Sequence, residues 1–161
     1  DLVPALCIGG FAGVRVEELQ RLHWESVHLA EGVIVIGAGG AKTASRRVIP
    51  IQPNLAEWLV LHADRTGKVS PSASGQGLSK MFGHAADRAG IVWVPNGLRH
   101  SFVSYRLAAC HDVAKVAAEA GNSAGMVHRH YKSLVSEAEG RAWFSIRPGT
   151  EANVIPMHAT Q

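Results

Sequence analysis

The chain has 161 residues, 47% of them apolar, which suits one domain built around one core. No apolar run approaches the length of a membrane span, and two cysteines, Cys7 and Cys110, are too few for a disulfide framework. These features argue against a membrane partner and a disulfide-stapled secreted domain, and for a reducing cytoplasm. Net charge is +3, but its distribution is uneven: residues 41–135 carry 12 Lys and Arg against 5 Asp and Glu, while both flanks are acidic. A basic middle of that kind fits a phosphate backbone as partner. The nine histidines show no metal-ligand spacing; His128 and His130, two apart, point to different sides of a helix. The opening DLVPALCIGGFAG starts at Asp1 and lacks a basic leader, so the chain reads as a fragment or a processed C-terminal piece.

Taken in order, residues 2–10 read as a buried helix tail ending at Gly9-Gly10. A second helix follows, with Val16, Leu19 and Leu22 on one face and Trp24 continuing it. Arg15 stands at its start, after Gly13, where a cation opposes the helix dipole. That conflict calls for a partner elsewhere, a carboxylate or a phosphate. Val27–Leu29, Val33–Ile36 and Arg46–Ile51 are short β-branched runs, the first two joined by a turn at Glu31-Gly32. Between the last two lies a small-residue hairpin tip, residues 37–45, carrying Lys42. A mobile loop with one cation can close over a ligand. Pro53 opens a helix to about Arg65, with Leu55, Leu59 and Leu61 among its apolar positions. After a Gly/Ser/Pro-rich loop, Gly77–Ala89 reads as another helix ended by Gly90.

The stretch from Pro95 to Tyr131 is the most informative. Pro95 favours an extended approach to a helix start. Two apolar-periodic segments split near His111-Asp112, and Gly121-Asn122-Ser123 breaks the second from a third. Arg99 sits one turn into the first helix and Tyr131 near the end of the last. An Arg on one helix and a Tyr on another suit a site that grips an anion and attacks it. His128, Arg129, His130 and Lys132 flank the tyrosine, and such a positive surround would lower its phenol pKa. Leu134–Phe144 reads as a last amphipathic helix anchored by Ala138, Trp143 and Phe144, and Gly149–Gln161 as a loose tail.

Singly, Arg15, Lys42, Arg99 and Tyr131 are weak signals, since a lone Arg or Tyr is usually structural. In order and in context they resemble the catalytic domain of tyrosine recombinases, the phage-integrase family. AGVRVEELQRLHWESVHL is similar to the family's Gly-x-Arg-x-x-Glu-x-x-x-Leu-x-Trp pattern, with Arg15 and Glu18 in the Arg and Glu places. Lys42 in KTASRRVIP resembles the β-hairpin lysine. Gly97-Leu98-Arg99-His100-Ser101-Phe102 resembles the core of the His-x-x-Arg box. Ala120-Gly121-Asn122, with Tyr131 nine residues on, resembles Leu-Gly-His followed by the nucleophile. Two positions depart from the pattern: Asn96 and Asn122 stand where the family has histidines. Asn donates a hydrogen bond but cannot take up a proton near neutral pH.

The resemblance implies an α+β fold, mostly helical, with a small three-stranded antiparallel sheet. The catalytic domain would cover residues 1–145 and the tail 146–161, with the family's N-terminal clamping domain absent from this chain. It implies Arg15, Lys42, Asn96, Arg99, Asn122 and Tyr131 as the catalytic set. Lys42, Arg46, Arg47, Lys80, His100, Arg129 and Lys132 would meet DNA; His100 stands next to Arg99, but one residue along a helix points elsewhere, so a structural hydrogen-bonding role is preferred for it over proton transfer. The implied activity is site-specific recombination of double-stranded DNA through a 3′-phosphotyrosyl intermediate, by a homo-oligomer, a tetramer on paired sites, without metal or other cofactor. The alternative is a DNA-binding remnant impaired at Asn96 and Asn122.

Overall fold

The computed structural model describes residues 1–37, 46–131 and 135–149. The fold is mostly helical with one small antiparallel sheet. Helix α1 (Val3–Ala12) starts with Pro4 in its first turn, where the missing N–H costs nothing. It does not end at Gly9-Gly10. Both glycines are internal and mark close packing: an added methyl at Gly9 would come within 2.9 Å of the Leu98 side chain, and one at Gly10 within 3.5 Å of Trp143. The helix ends at Gly13, at φ 64°, where any Cβ would fall 2.2 Å from the Phe102 ring. Only glycine fits that left-handed, crowded position.

Helix α2 (Val16–Leu19) is one turn long, shorter than its apolar spacing suggests; Trp24 instead opens a 3₁₀ turn, Trp24–Ser26, and is buried there. Strands β1 (Val27–His28), β2 (Val33–Ile36) and β3 (Arg47–Pro50) pair in that order, with Val27 opposite Ile34 and Ile36 opposite Arg47. Ile34, Ile36 and Ile49 face the core, as strand alternation requires. Helix α3 (Pro53–Val60) stops well before Arg65, and Leu61 lies exposed in the turns that follow. Helix α4 (Gly75–Arg88) is capped by Ser74, whose hydroxyl accepts from the Gly77 N–H. These elements enclose one core cluster around Ile8, Leu19, Ile34, Leu55, Leu59 and Phe82.

A second cluster, with Phe102, Val103, Val116 and Val127 at its centre, lies between helices α5 (Gly97–Cys110), α6 (Val113–Ala120) and α7 (Ala124–Tyr131). The punctuation read from sequence is kept: Asn96 opens α5, His111 and Asp112 separate α5 from α6, and Gly121 ends α6. Helix α8 (Glu137–Trp143) begins later than Leu134, at a capping box in which Ser136 and Glu139 satisfy each other's backbone N–H groups. Ala138 is exposed, so it is no anchor. Helix α8 is seated instead through Gly140, where an added methyl would lie 2.8 Å from the Tyr105 carbonyl oxygen and 3.1 Å from the Ala109 nitrogen of α5. The Trp143 indole donates to the Gly10 carbonyl, and Asn54 and Trp58 both donate to the Ile146 carbonyl. Ile146 is thereby tied to α3. The tail residues 150–161 lie outside the described residues. Among the described residues no helix is long and apolar enough to cross a membrane.

Candidate active site

The site forms where the α1–α2 turn, the first turns of α5, and the α6–α7 turn come together. Arg15 precedes α2 in extended conformation, φ −67° and ψ 150°. Its dipole conflict is resolved by Glu18 one turn on: the carboxylate accepts from the Arg15 backbone N–H over 3.0 Å and from Nη1 over 3.2 Å. The other end of the guanidinium reaches across the fold, with Nη2 donating to the Gly121 carbonyl over 2.7 Å and to Asn122 Oδ1 over 3.2 Å. Arg99 is 9% exposed. Its Nη1 donates to the Gly13 carbonyl and its Nη2 to the same Asn122 Oδ1, both over 2.7 Å.

Two guanidinium groups thus converge on one oxygen. Arg99 is held down to a pKa of about 10, first by burial and then by the charges of Arg15 and Arg47. Buried Arg99 and half-exposed Arg15 repel each other and share one neutral acceptor, an arrangement suited to receive an anion. Gly121 permits the approach: it sits at φ 66°, and an added methyl would meet Arg47 Nη1 at 3.2 Å and Arg15 Nη1 at 3.3 Å.

Arg47 lies inside this network rather than on the surface. The pleat of β3 turns it inward, where its fork meets both oxygens of Glu18 and its Nε donates to the Glu119 carbonyl over 3.1 Å. Its neighbour Arg46 is exposed. Lys80 and Arg129 are exposed, on α4 and α7. Asn96 is exposed at the left-handed start of α5, φ 58°. Lys42 and Lys132 lie outside the described residues. Glu119, which motif reading passed over, is buried and takes a bidentate contact from Arg106.

Tyr131 closes α7 with 7% of its surface exposed. The expectation of a lowered phenol pKa is not met: burial pushes it up, and Arg99 pulls only partly the other way. Among the described residues flanking it, His128, Arg129 and His130 are exposed to water, while the ring itself is buried. His100 makes a side-chain hydrogen bond, in keeping with the hydrogen-bonding role read for it. One step round α5 from Arg99, it faces α7, and its Nδ1 lies 2.5 Å from the Tyr131 hydroxyl oxygen. The two residues are 31 apart, and no local pattern reports the contact. Beside Tyr131, a cavity of about 450 Å³ opens between α5 and α7, lined also by His111, His128 and Glu137. Among the described residues, no group of three His, Cys, Asp or Glu side chains could hold a metal ion.

Comparison with known proteins identifies the family and the fold. The profile of the phage integrase family matches residues 5–136. Tyrosine recombinase XerA of Thermococcus onnurineus is 32% identical over 128 residues, covering 70% of this chain and 43% of that protein. Tyrosine recombinase XerD of Vibrio cholerae is 32% identical over 114 residues, covering 59% of this chain and 36% of that one. The chain thus spans less than half the length of these relatives. Among solved structures, XerA recombinase superposes with a TM-score of 0.70 at 21% identity, covering 92% of this chain and 58% of that one. The integrase of mycobacterium phage Brujita gives 0.63 at 19%, covering 93% and 54%. The Tn1549 transposon integrase in complex with circular intermediate DNA gives 0.59 at 18%, covering 88% and 58%. With the family profile spanning most of its length and the fold shared with these recombinases, the chain belongs to the phage integrase family.

Proposed function

We propose that this chain is the catalytic part of a site-specific DNA recombinase that cleaves and rejoins DNA through a 3′-phosphotyrosyl intermediate. The observation that carries the reading is the convergence of Arg15 and Arg99 on Asn122 Oδ1, close enough to Tyr131 for Arg99 to act on its phenol. A DNA phosphodiester is a monoanion whose in-line transition state gathers charge on its non-bridging oxygens. Two guanidinium forks neutralise that charge and fix its orientation. Asn122 then turns its amide so that Nδ2 donates to the phosphate, the function its sequence position suggests. Tyr131 attacks phosphorus, and Lys42 protonates the departing 5′-oxygen. The covalent step conserves the bond energy for rejoining. Exposed Arg46, Lys80 and Arg129, with Lys132, supply sequence-independent phosphate contacts. The partner is double-stranded DNA, and the working form a homo-oligomer on paired sites; the Tn1549 relative's complex with circular intermediate DNA supports the DNA assignment.

A nicked suicide duplex tests this in the full-length protein. A covalent protein–DNA adduct that disappears in Tyr131→Phe supports the enzyme. Binding without any adduct in the unmutated protein supports a DNA-binding remnant, for which exposed Asn96, with no basic atom, is the motivating feature.

A further inference from the structure

The cleavage step leaves one proton without an acceptor. When the Tyr131 oxygen joins phosphorus, its hydroxyl proton must go somewhere, and neither Asn96 nor Asn122 has a basic atom to take it. Burial raises the Tyr131 phenol above its ordinary range, so the hydroxyl does not ionise unaided at neutral pH. A general base must lie within hydrogen-bond reach of the proton it removes. His100 Nδ1 stands 2.5 Å from Tyr131 Oη, with the two rings stacked at 5.7 Å and 26°. His100 itself is exposed, so the imidazolium that forms is solvated and its charge is not trapped in the core.

We propose that His100 is the general base of strand cleavage, taking the Tyr131 hydroxyl proton on Nδ1. The proposal rests on the recombinase reading above. In the forward step the Tyr131 O–H bond breaks and its proton passes to neutral His100. The Oη–P bond forms, the P–O5′ bond breaks, and the 5′-oxygen leaves with a proton from a cationic side chain, the role given to Lys42. In rejoining, the 5′-hydroxyl passes its proton back to the side chain that supplied it, the role given to Lys42, and attacks phosphorus; the phosphotyrosyl bond breaks, and His100 returns its proton to Tyr131. Arg99 and His100 are consecutive on the first turns of α5, about 100° apart by helix geometry. One grips the phosphate while the other meets the nucleophile, so a single rigid helix sets both distances.

The other charged and titratable groups around the pair have different engagements. Arg99 faces Tyr131 and is tied to Gly13 and Asn122. On α6, Glu119 is paired with Arg106. On α8, Glu137 is paired with Arg141 and meets His111. On α7, His128 lines the cavity beside Tyr131, and Arg129 and His130 are exposed. His128 is therefore the competing base, and it serves as the control.

The test is single-turnover cleavage of the suicide duplex by full-length protein from pH 5 to pH 9. The unmutated protein should lose rate on the acid side along a limb in the range where imidazoles titrate, about pH 5–8. In His100→Gln the rate should fall by about 10²–10⁴ and the limb should vanish. His128→Gln should keep the limb. Added imidazole should restore part of the rate to His100→Ala. A 5′-bridging phosphorothiolate, whose sulfur leaves without a proton, should not rescue His100→Gln. A limb that survives in His100→Gln, whatever the rate, overturns the proposal, as does a limb missing from the unmutated protein or a full phosphorothiolate rescue. Absence of any adduct in the unmutated protein sinks the recombinase reading and this proposal together; an adduct with the limb intact in His100→Gln sinks this proposal alone. Melting curves of the His100 variants beside the unmutated protein, with cleavage measured at temperatures where both stay folded, separate loss of chemistry from loss of fold.

Discussion

Arg47 and Glu18 meet fork to fork, Nη1 donating to Oε1 over 2.8 Å and Nη2 to Oε2 over 2.6 Å. Their side chains are only 9% and 13% exposed. Burial alone would raise the Glu18 carboxyl, but hydrogen bonds from Arg47 and the Arg15 backbone, with the charges of both arginines, outweigh it and bring the pKa to about 2. A folded-state pKa below the ordinary 4.5 means the stabilisation is complete above that value and is lost as pH falls from there toward about 2. Unfolding free energies measured across that window should slope steeply in the unmutated protein and lose that slope in Glu18→Gln. At neutral pH the same variant leaves Arg47 buried without its counter-ion and should lose about 3–5 kcal/mol in denaturant unfolding.

The depressed basicity of Arg99 has the opposite sign. Its charged form is disfavoured in the fold at any pH below about 10, and an anion between it and Arg15 relieves that penalty. Sulfate should raise the melting temperature more than chloride at matched ionic strength. By linkage, a bound anion at a hundred times its Kd adds about 2.7 kcal/mol. The sulfate-specific increment should shrink in Arg99→Gln, whereas the general salting effect remains; equal increments in both proteins would refute the anion site.

Gly13 couples the fold to the site. Its carbonyl holds Arg99, and its Cα faces the Phe102 ring. Gly13→Ala combines a left-handed backbone with a 2.2 Å overlap. It should cost about 1–3 kcal/mol for the overlap and a further ~1–3 kcal/mol for the strain. Differential scanning calorimetry reads the loss. DNA cleavage should fall with it, at temperatures where the variant is still folded.

Asn122→Asp separates binding an anion from being one. A carboxylate between Arg15 and Arg99 takes the phosphate's place permanently. Cleavage should drop by at least about 10²-fold, the scale of a lost oxyanion contact. The melting temperature should hold or rise, since the two arginines gain a charged acceptor. A variant that melts lower and still cleaves would contradict the geometry.

Asn96 makes a backbone prediction independent of chemistry. At φ 58° it occupies a conformation that Asn tolerates and Gly adopts freely. Asn96→Gly should be neutral or stabilising by up to ~1 kcal/mol, and Asn96→Val destabilising by about 1–2 kcal/mol, both read from thermal melts.

The divisions between α5, α6 and α7 were legible because Pro95, His111-Asp112 and Gly121-Asn122 punctuate them locally. That Arg15 needs a partner was legible from its conflict with the helix dipole; that a carboxylate only one turn on, Glu18, answers it, together with Gly121 and Asn122 more than a hundred residues away, was not. Gly9-Gly10 reads as a helix end only while Leu98 and Trp143 are unknown. Arg46 and Arg47 are indistinguishable in sequence, and only the register of β3 decides that one faces water and the other Glu18. The Tyr131 phenol misleads for a general reason: counting charges along the chain omits burial, which here is the larger effect.

The seat that α5 offers Gly140 admits nothing bulkier than a hydrogen. Slipping α8 by one turn in either direction would bring Ser136 or Glu137, or else Trp143 or Phe144, to that spot, and each carries a side chain into the Tyr105 carbonyl. The helix consequently has a single address on its own domain, with no half-slid positions beside it. Its departure would be all-or-none: the indole of Trp143 and the carbonyl of Ile146 would let go in one event, uncovering α1 and α5 together.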